Sequence, residues 1–291
     1  MGDSIGGEMC SVTNRRIWRF AFLAFALVWA GCRPPTPPPQ PTVTVLPSPT
    51  RPRPTLTPTA TVVPPAVREL INQLASEQAV ERAQAAHELG LLGPEAGAAV
   101  GPLMALLDDQ TELYAQFGLT ITSPAQEAAV ALARIGQPEG IARLVRELQK
   151  SDREARARAV IALYAARREG LEALRQTDAM PHLLAVAADS TMESRVRGYA
   201  IRVLGRLKEP EAVPTLGGLL RDPSEPVRVS AAWALGEIGD CHAVPYLIEA
   251  LGTADETERF LIHAVLMQIT GQSLGQDAEA WRAWWADQTC P

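Results

Sequence analysis

From residue 66 onward the sequence predicts an all-α fold, a solenoid of about six stacked helical hairpins closed by a Trp-rich segment. Three observations predict it. A motif returns every 31 residues, apolar side chains recur at helical spacing inside each period, and the composition favours helix over strand, with 47% hydrophobic but only 5% aromatic residues.

The first element along the chain, residues 1–31, reads as an export leader. Arg15, Arg16 and Arg19 form a positive region, and Phe20 to Ala30 is an uncharged apolar run of eleven residues. A comfortable transmembrane helix needs roughly 20 residues, so the run fits a signal better than a span. It ends in Trp29-Ala30-Gly31-Cys32, and small residues directly before a cysteine resemble a bacterial lipobox, with Trp29 standing where an aliphatic residue is usual. The resemblance implies cleavage before Cys32, lipidation of Cys32, and an extracytoplasmic protein anchored to a membrane through lipid. The alternatives are an ordinary cleaved signal and an uncleaved helix beginning at Ile17. Arg15-Arg16 fits a twin-arginine signal poorly, and Met9 is a second candidate start.

Residues 32–65 follow as a linker. Between 33 and 65 stand 13 Pro and 8 Thr, with no acidic residue and no apolar periodicity that could bury a core. Proline fixes φ and disfavours helix in the residue before it, so this stretch is expected to be a disordered, extended stalk spanning up to about 100 Å.

The array itself occupies residues 66–271. Ala200-Ile-Arg-Val-Leu204-Gly205 aligns with Ala231-Ala-Trp-Ala-Leu235-Gly236, 31 residues on, and Leu266 continues the series. Leu163, Leu132 and Leu89 extend it backwards, with two intervals lengthened by insertions of 10 and 12 residues, which makes six units. The fifth shows the pattern best. Ala212-Val213-Pro214 with Leu216, Leu219 and Leu220 predicts one helix, Asp222-Pro223-Ser224 breaks it, and Val227, Ala231, Leu235 and Ile238 form the stripe of a second. Neither stripe can be buried within one hairpin, so the units are stable only as a stack.

These residues resemble HEAT-like repeats, notably the short repeats first associated with phycobilin lyases. Val227-Arg228, Ala231-Ala232, Ala234-Leu235-Gly236, Ile238-Gly239 and Ala243-Val244-Pro245-Leu247 carry the resemblance, which is strong in units four to six and looser in two and three. It implies a right-handed, armadillo-like solenoid. It also places Arg82, Arg156, Arg197, Arg228 and Arg259 at one repeat position, where the family uses arginine for structural hydrogen bonds between repeats, often to an Asp of the preceding loop such as Asp222. A binding surface along this ladder is the competing reading.

Residues 272–291 form the last element. Trp281, Trp284 and Trp285 lie at i, i+3 and i+4, on one helical face, and solenoids need a cap over the terminal hydrophobic stripe. A cap is therefore expected, with an exposed ligand-binding aromatic patch as the alternative.

The formal charge is −6, yet the six arginines before residue 66 leave 21 basic and 31 acidic side chains after it. A surface that acidic repels phosphate backbones, so nucleic acid is not an expected partner. Signs of catalysis are sparse. The chain has four His, no Cys-x-x-Cys, no His-Glu-x-x-His and no glycine-rich phosphate loop. His87-Glu88 resembles the His-Glu motif of deoxyhypusine hydroxylases, di-iron enzymes on HEAT-like repeats, but such a site needs several pairs, and His182, His242 and His263 are followed by Leu, Ala and Ala. No catalytic residue, metal ligand or cofactor is therefore assigned.

Two cysteines remain beyond the leader and anchor, Cys241 and Cys290. A bridge between them would tie the Trp-rich tail to the loop opening unit six; two free thiols are the alternative. The insertions are the best local clue to function. Residues 109–123, with Tyr114 and Phe117, and residues 167–178 are either loops on a binding face or longer, locally packed connections. Together these features point to a non-catalytic scaffold with an unidentified protein or peptide partner, displayed outside the cytoplasmic membrane, and leave a HEAT-type hydroxylase or lyase as the alternative.

Overall fold

The computed structural model describes residues 63–114 and 121–290. The leader, Cys32, the linker before residue 63, and Phe117 lie outside the described residues, and Tyr114 is described by its backbone alone.

Six helical hairpins follow one another. α1 (Pro65–Gln73) pairs with α2 (Ala79–Leu92), and a 3-10 segment, Gly93–Ala99, runs into α3 (Val100–Leu106), which pairs with α4 (Pro124–Ile135). α5 (Pro138–Leu148) pairs with α6 (Arg153–Tyr164), an added α7 (Arg168–Arg175) intervenes, and α8 (Ala179–Ala188) pairs with α9 (Ser194–Leu207). α10 (Val213–Leu219) with α11 (Glu225–Ile238) and α12 (Val244–Leu251) with α13 (Glu256–Thr270) complete the array, and α14 (Ala278–Trp285) closes it.

Two helix layers result. The second helices stack in the order α2, α4, α6, α9, α11, α13, and the first helices in the order α3, α5, α8, α10, α12. Between them runs one continuous core. Leu89, Leu132, Leu163, Leu204, Leu235 and Leu266, the leucines that mark the period, are each fully buried. This is an α-solenoid of HEAT-like repeats, and its core exists only where units touch.

Local chemistry sets the ends of the helices. Ser123, Asp152 and Asp255 accept backbone N–H bonds at the starts of α4, α6 and α13, satisfying donors that have no partner inside the helix. Pro214 and Pro245 sit in the first turns of α10 and α12, where a missing N–H costs nothing. Gly136, Gly239 and Gly271 end α4, α11 and α13 with φ of 74°, 74° and 70°, a backbone conformation that a side chain would strain.

α2 through α3 forms the one stretch among the described residues long and apolar enough to cross a membrane, Ala79–Leu106. Gly93, at φ 62°, interrupts it, and Leu89, Ala99 and Leu103 are buried in the array.

Both insertions carry regular structure among their described residues. The first carries a two-stranded antiparallel ribbon, β1 (Leu113–Tyr114) with β2 (Ile121–Thr122), pairing Leu113 with Thr122 and Tyr114 with Ile121. This is the one strand pairing among the described residues. The second contains α7, whose Ala173 and Leu174 are buried and which packs on α5, so this insertion is a packed connection.

Candidate interface on the second helices

The arginine ladder is a set of clasps between units. Arg82 reaches Asp109 at 2.6 Å, Arg156 reaches Asp189 at 2.8 Å, Arg228 reaches Glu258 at 2.7 Å, and Arg197 closes on Asp222. In every case the carboxylate belongs to the following unit. The expected partner, often an Asp of the preceding loop such as Asp222, is reached from the other side, since Asp222 pairs with Arg197 of the unit before it. That loop offers carbonyl oxygens instead, as when Arg228 donates to Asp222 O at 2.8 Å and Arg82 to Ser76 O at 2.8 Å. Arg82, Arg197 and Arg228 thus use the guanidinium fork twice, once within their own hairpin and once across the junction, whereas Arg156 bonds only across it, to Asp189 and Met192. Arg259 departs from the ladder: α14 and not another hairpin comes next after its helix, and it is exposed, with no ion pair among the described residues.

The acids are held by their own loops as well. Asp109, Asp189 and Asp222 each accept the backbone N–H of the residue two places on, from Thr111, Thr191 and Ser224. The Thr191 hydroxyl and Arg156 lower the Asp189 carboxyl to about 2. At Asp222 burial pushes upward, but Arg197, the Ser224 N–H and Arg228 outweigh it and hold the group below the usual carboxylate range. A sequence signal for these clasps existed in the recurrent Asp-x-Thr/Ser of 109–111, 189–191 and 222–224.

Further arginines do comparable work away from the ladder position. Arg206 donates to Tyr164 O at 2.8 Å and Ala166 O at 2.6 Å, and Arg175 donates to Leu207 O and Arg206 O, so the carbonyl ends of α6 and α9 are satisfied from neighbouring units.

With the ladder occupied by structure, the exposed side chains of the second helices are the candidate contact surface. At the register of Trp233 the row reads His87, Val130, Ile161, Arg202, Trp233, Ala264. Trp233 is 48% exposed and Phe260 69% exposed. Arg195 and Arg202, also exposed, form no ion pair among the described residues, and Tyr199 stacks on Tyr164 with ring centroids 4.5 Å apart. Beside this row, at the junction of units five and six, lies a groove of about 560 Å³ with Val229, Ala232, Ala254 and Leu261 among its apolar lining and Arg221, Asp222, Asp255 and Glu258 among its polar lining. Such a surface can take apolar side chains into a groove and carboxylates onto free guanidiniums.

His87 has a different neighbour from the one its motif suggests. Its Nδ1 lies 3.1 Å from Glu127 of α4, while Glu88 accepts from Gln84. Among the described residues His87 belongs to no group of three potential metal ligands.

At the C-terminal end Trp281 is fully buried, and its indole N–H donates to Gly275 O at 2.8 Å. Trp284 and Trp285 are half-buried against the core, Trp284 edge-on to Trp281 with centroids 5.9 Å apart. α14 packs on α12, taking the place that the first helix of another unit would occupy. Cys241 and Cys290 are joined by a disulfide with Cα atoms 5.7 Å apart, and the bridge ties the segment after α14 to the start of unit six.

Residues 180–266 match the family model of HEAT repeats. No curated protein matches the chain. Among solved structures, a designed armadillo repeat protein in complex with the peptide (KR)4 is 23% identical, with 70% of this chain and 99% of that one covered and a TM-score of 0.49. The complex of CpcE and CpcF of phycocyanin lyase from Nostoc sp. PCC7120 is also 23% identical, with 78% and 82% covered and a TM-score of 0.47.

Proposed function

We propose that this chain is a non-catalytic binding module whose second-helix face receives a peptide or a segment of another protein, and that it works outside the cytoplasmic membrane on a lipid-anchored stalk. The observation that carries the reading is the pair of exposed aromatics on neighbouring second helices, Trp233 and Phe260, each next in sequence to a residue, Ala232 or Leu261, that lines the groove between units five and six, with exposed Arg202 at the Trp233 register. Solvating a large exposed indole and phenyl ring is unfavourable, and tryptophan and arginine dominate the energetics of known interfaces. Arg195 and Arg202 add guanidiniums that no carboxylate among the described residues neutralises, so the favoured segment combines apolar side chains with acidic ones. The leader, residues 1–31, followed directly by Cys32 supports the location, and a Cys241–Cys290 bridge suits an oxidising compartment.

Site-specific photo-crosslinking from position 202 of the exported, anchored protein tests this reading. A discrete protein adduct is expected, lost when Trp233 and Phe260 are both changed to Ser with helix content unchanged. An adduct indifferent to those changes, or turnover of a small substrate by the purified protein with metal, would overturn it. The catalytic alternative has His87 beside Glu127 on its side. Bound iron that is lost with activity in His87→Ala would favour that reading.

A further inference from the structure

The disulfide at the end of the array is embedded in a second set of donors. Asp240 caps the 3-10 turn Cys241–Ala243, accepting the His242 backbone N–H at 2.8 Å. His242 Nδ1 lies 2.8 Å from Asp240 Oδ1 and 3.2 Å from Cys290 Sγ. One donor atom from each of Asp240, Cys241, His242 and Cys290 falls within 4.8 Å of all the others. Two sulfurs, an imidazole nitrogen and a carboxylate oxygen are a full ligand set for a closed tetrahedral site, and thiolate with imidazole selects zinc-class cations over magnesium or calcium.

We propose that the reduced chain binds one zinc-class divalent cation at Asp240, Cys241, His242 and Cys290, so that disulfide and metal are alternative clasps on the same C-terminal segment. The positions explain why one can replace the other. Three donors come from one short turn at the start of unit six, and the fourth comes from the end of the chain, 49 residues beyond Cys241. Either bond therefore holds the residues after α14 against the array. Residues 286–289 are exposed, so Cys290 can retreat from Cys241 to the spacing that two thiolates need around a cation without disturbing packed side chains. His242 is 66% exposed, which leaves the cation a path from solvent.

The chemistry balances with a dithiol as reductant. The dithiol gives two electrons and two protons to the S–S bond and becomes a disulfide itself, leaving two thiols on this chain. The cation then displaces one proton from each thiol to solvent and takes the lone pair of His242 Nδ1, with the imidazole proton on Nε2. In the oxidised chain neither sulfur is a thiolate, so the cation loses two of its four ligands.

Cobalt(II) reports such a site directly. In the full-length chain carrying Cys10→Ser and Cys32→Ser, reduced and then freed of reductant without air, one equivalent of cobalt is expected to give thiolate charge-transfer absorption and tetrahedral visible bands, both bleached by zinc. The oxidised chain should give neither. Cys290→Ser should lose the charge-transfer absorption, while Asp240→Asn and His242→Ala should each weaken binding by about tenfold or more. Helix content measured alongside separates loss of the ligand from loss of the fold. The proposal is overturned by a reduced chain without tetrahedral bands, by an oxidised chain that shows them, or by unweakened binding in either the Asp240 or the His242 variant.

Discussion

Arg197 closes on Asp222 across the junction of units four and five, with the two side chains only 5% and 8% exposed. Neither charge has water to fall back on. Removing one partner should therefore cost far more than the pair is worth relative to an apolar replacement, because the survivor stays buried and unpaired. Arg197→Ala is expected to destabilise the array by about 3–5 kcal/mol. Arg259→Ala, at the same repeat position but exposed and without an ion pair among the described residues, should stay within about 0.5 kcal/mol of the parent. Urea unfolding of both variants measures the difference, and equal costs would mean that the ladder is not what couples the units.

Asp189 makes the clasp between units three and four sensitive to acid. Its carboxyl titrates near 2 in the folded chain against an ordinary value of 3.8, first through the Thr191 hydroxyl and then through Arg156. The folded group has the lower pKa, so the unfolded chain binds more protons between the two values. Its contribution to stability is present above about 4 and is lost as pH falls towards about 2. Asp189→Asn should be less stable than the parent at neutral pH and should lose less on acidification. Thermal unfolding between about pH 2 and pH 6 follows both limbs, and parallel curves for parent and variant would exclude a role for this group.

How far the structure was legible depends on whether a feature repeats. Leu204, Leu235 and Leu266 are periodic, and the period alone placed them in a core that the structure fills with them. The ladder arginines were legible as a register, whereas three of their partners were marked only by the Asp-x-Thr/Ser pattern and not by the period, because the carboxylates stand at irregular separations, from 25 residues for Arg197 to 33 for Arg156. Insertions and loop lengths set those separations, and the period carries no information about either. Trp233 and Phe260 were invisible as surface residues, since a period identifies which positions face the core but an aromatic elsewhere on the helix reads as one more apolar residue. α7 was hidden for a related reason: eight residues are too few for a stripe to stand out, and its place is fixed by packing on α5.

Glycine at 205 separates packing from helix propensity. A Cβ there would stand 2.8 Å from Ala234 Cα on the adjacent α11, backbone against backbone, with nothing flexible to give way. Gly205→Ala should force the two helices apart at a cost of about 1–3 kcal/mol. At Gly218 a Cβ would meet nothing within 4 Å, so Gly218→Ala should stabilise α10 by up to about 1 kcal/mol through the helix preference of alanine alone. Calorimetric melting temperatures moving in opposite directions are the expected result; a gain at both positions would show that α9 and α11 are not held in close contact.

Trp281 carries the end of the array. It is fully buried, whereas Trp284 and Trp285 are half-buried, so the three tryptophans of one helical face are unequal in what they hold. Truncating a buried tryptophan removes both its burial and the packing of its neighbours, about 3–5 kcal/mol, and here it also frees Gly275 O. In a stack the loss is felt first by the adjoining unit, since each unit is stabilised by its neighbours. Trp281→Ala should therefore open α12 and α13 to hydrogen exchange while α4 and α6 keep their protection, and Trp285→Ala should do so more weakly. The disulfide limits how far the segment can stray, so the contrast between the variants should widen on reduction in metal-free buffer. Uniform loss of protection along the whole array in Trp281→Ala would instead mean that the solenoid melts as a single cooperative body and that α14 is one more part of its core.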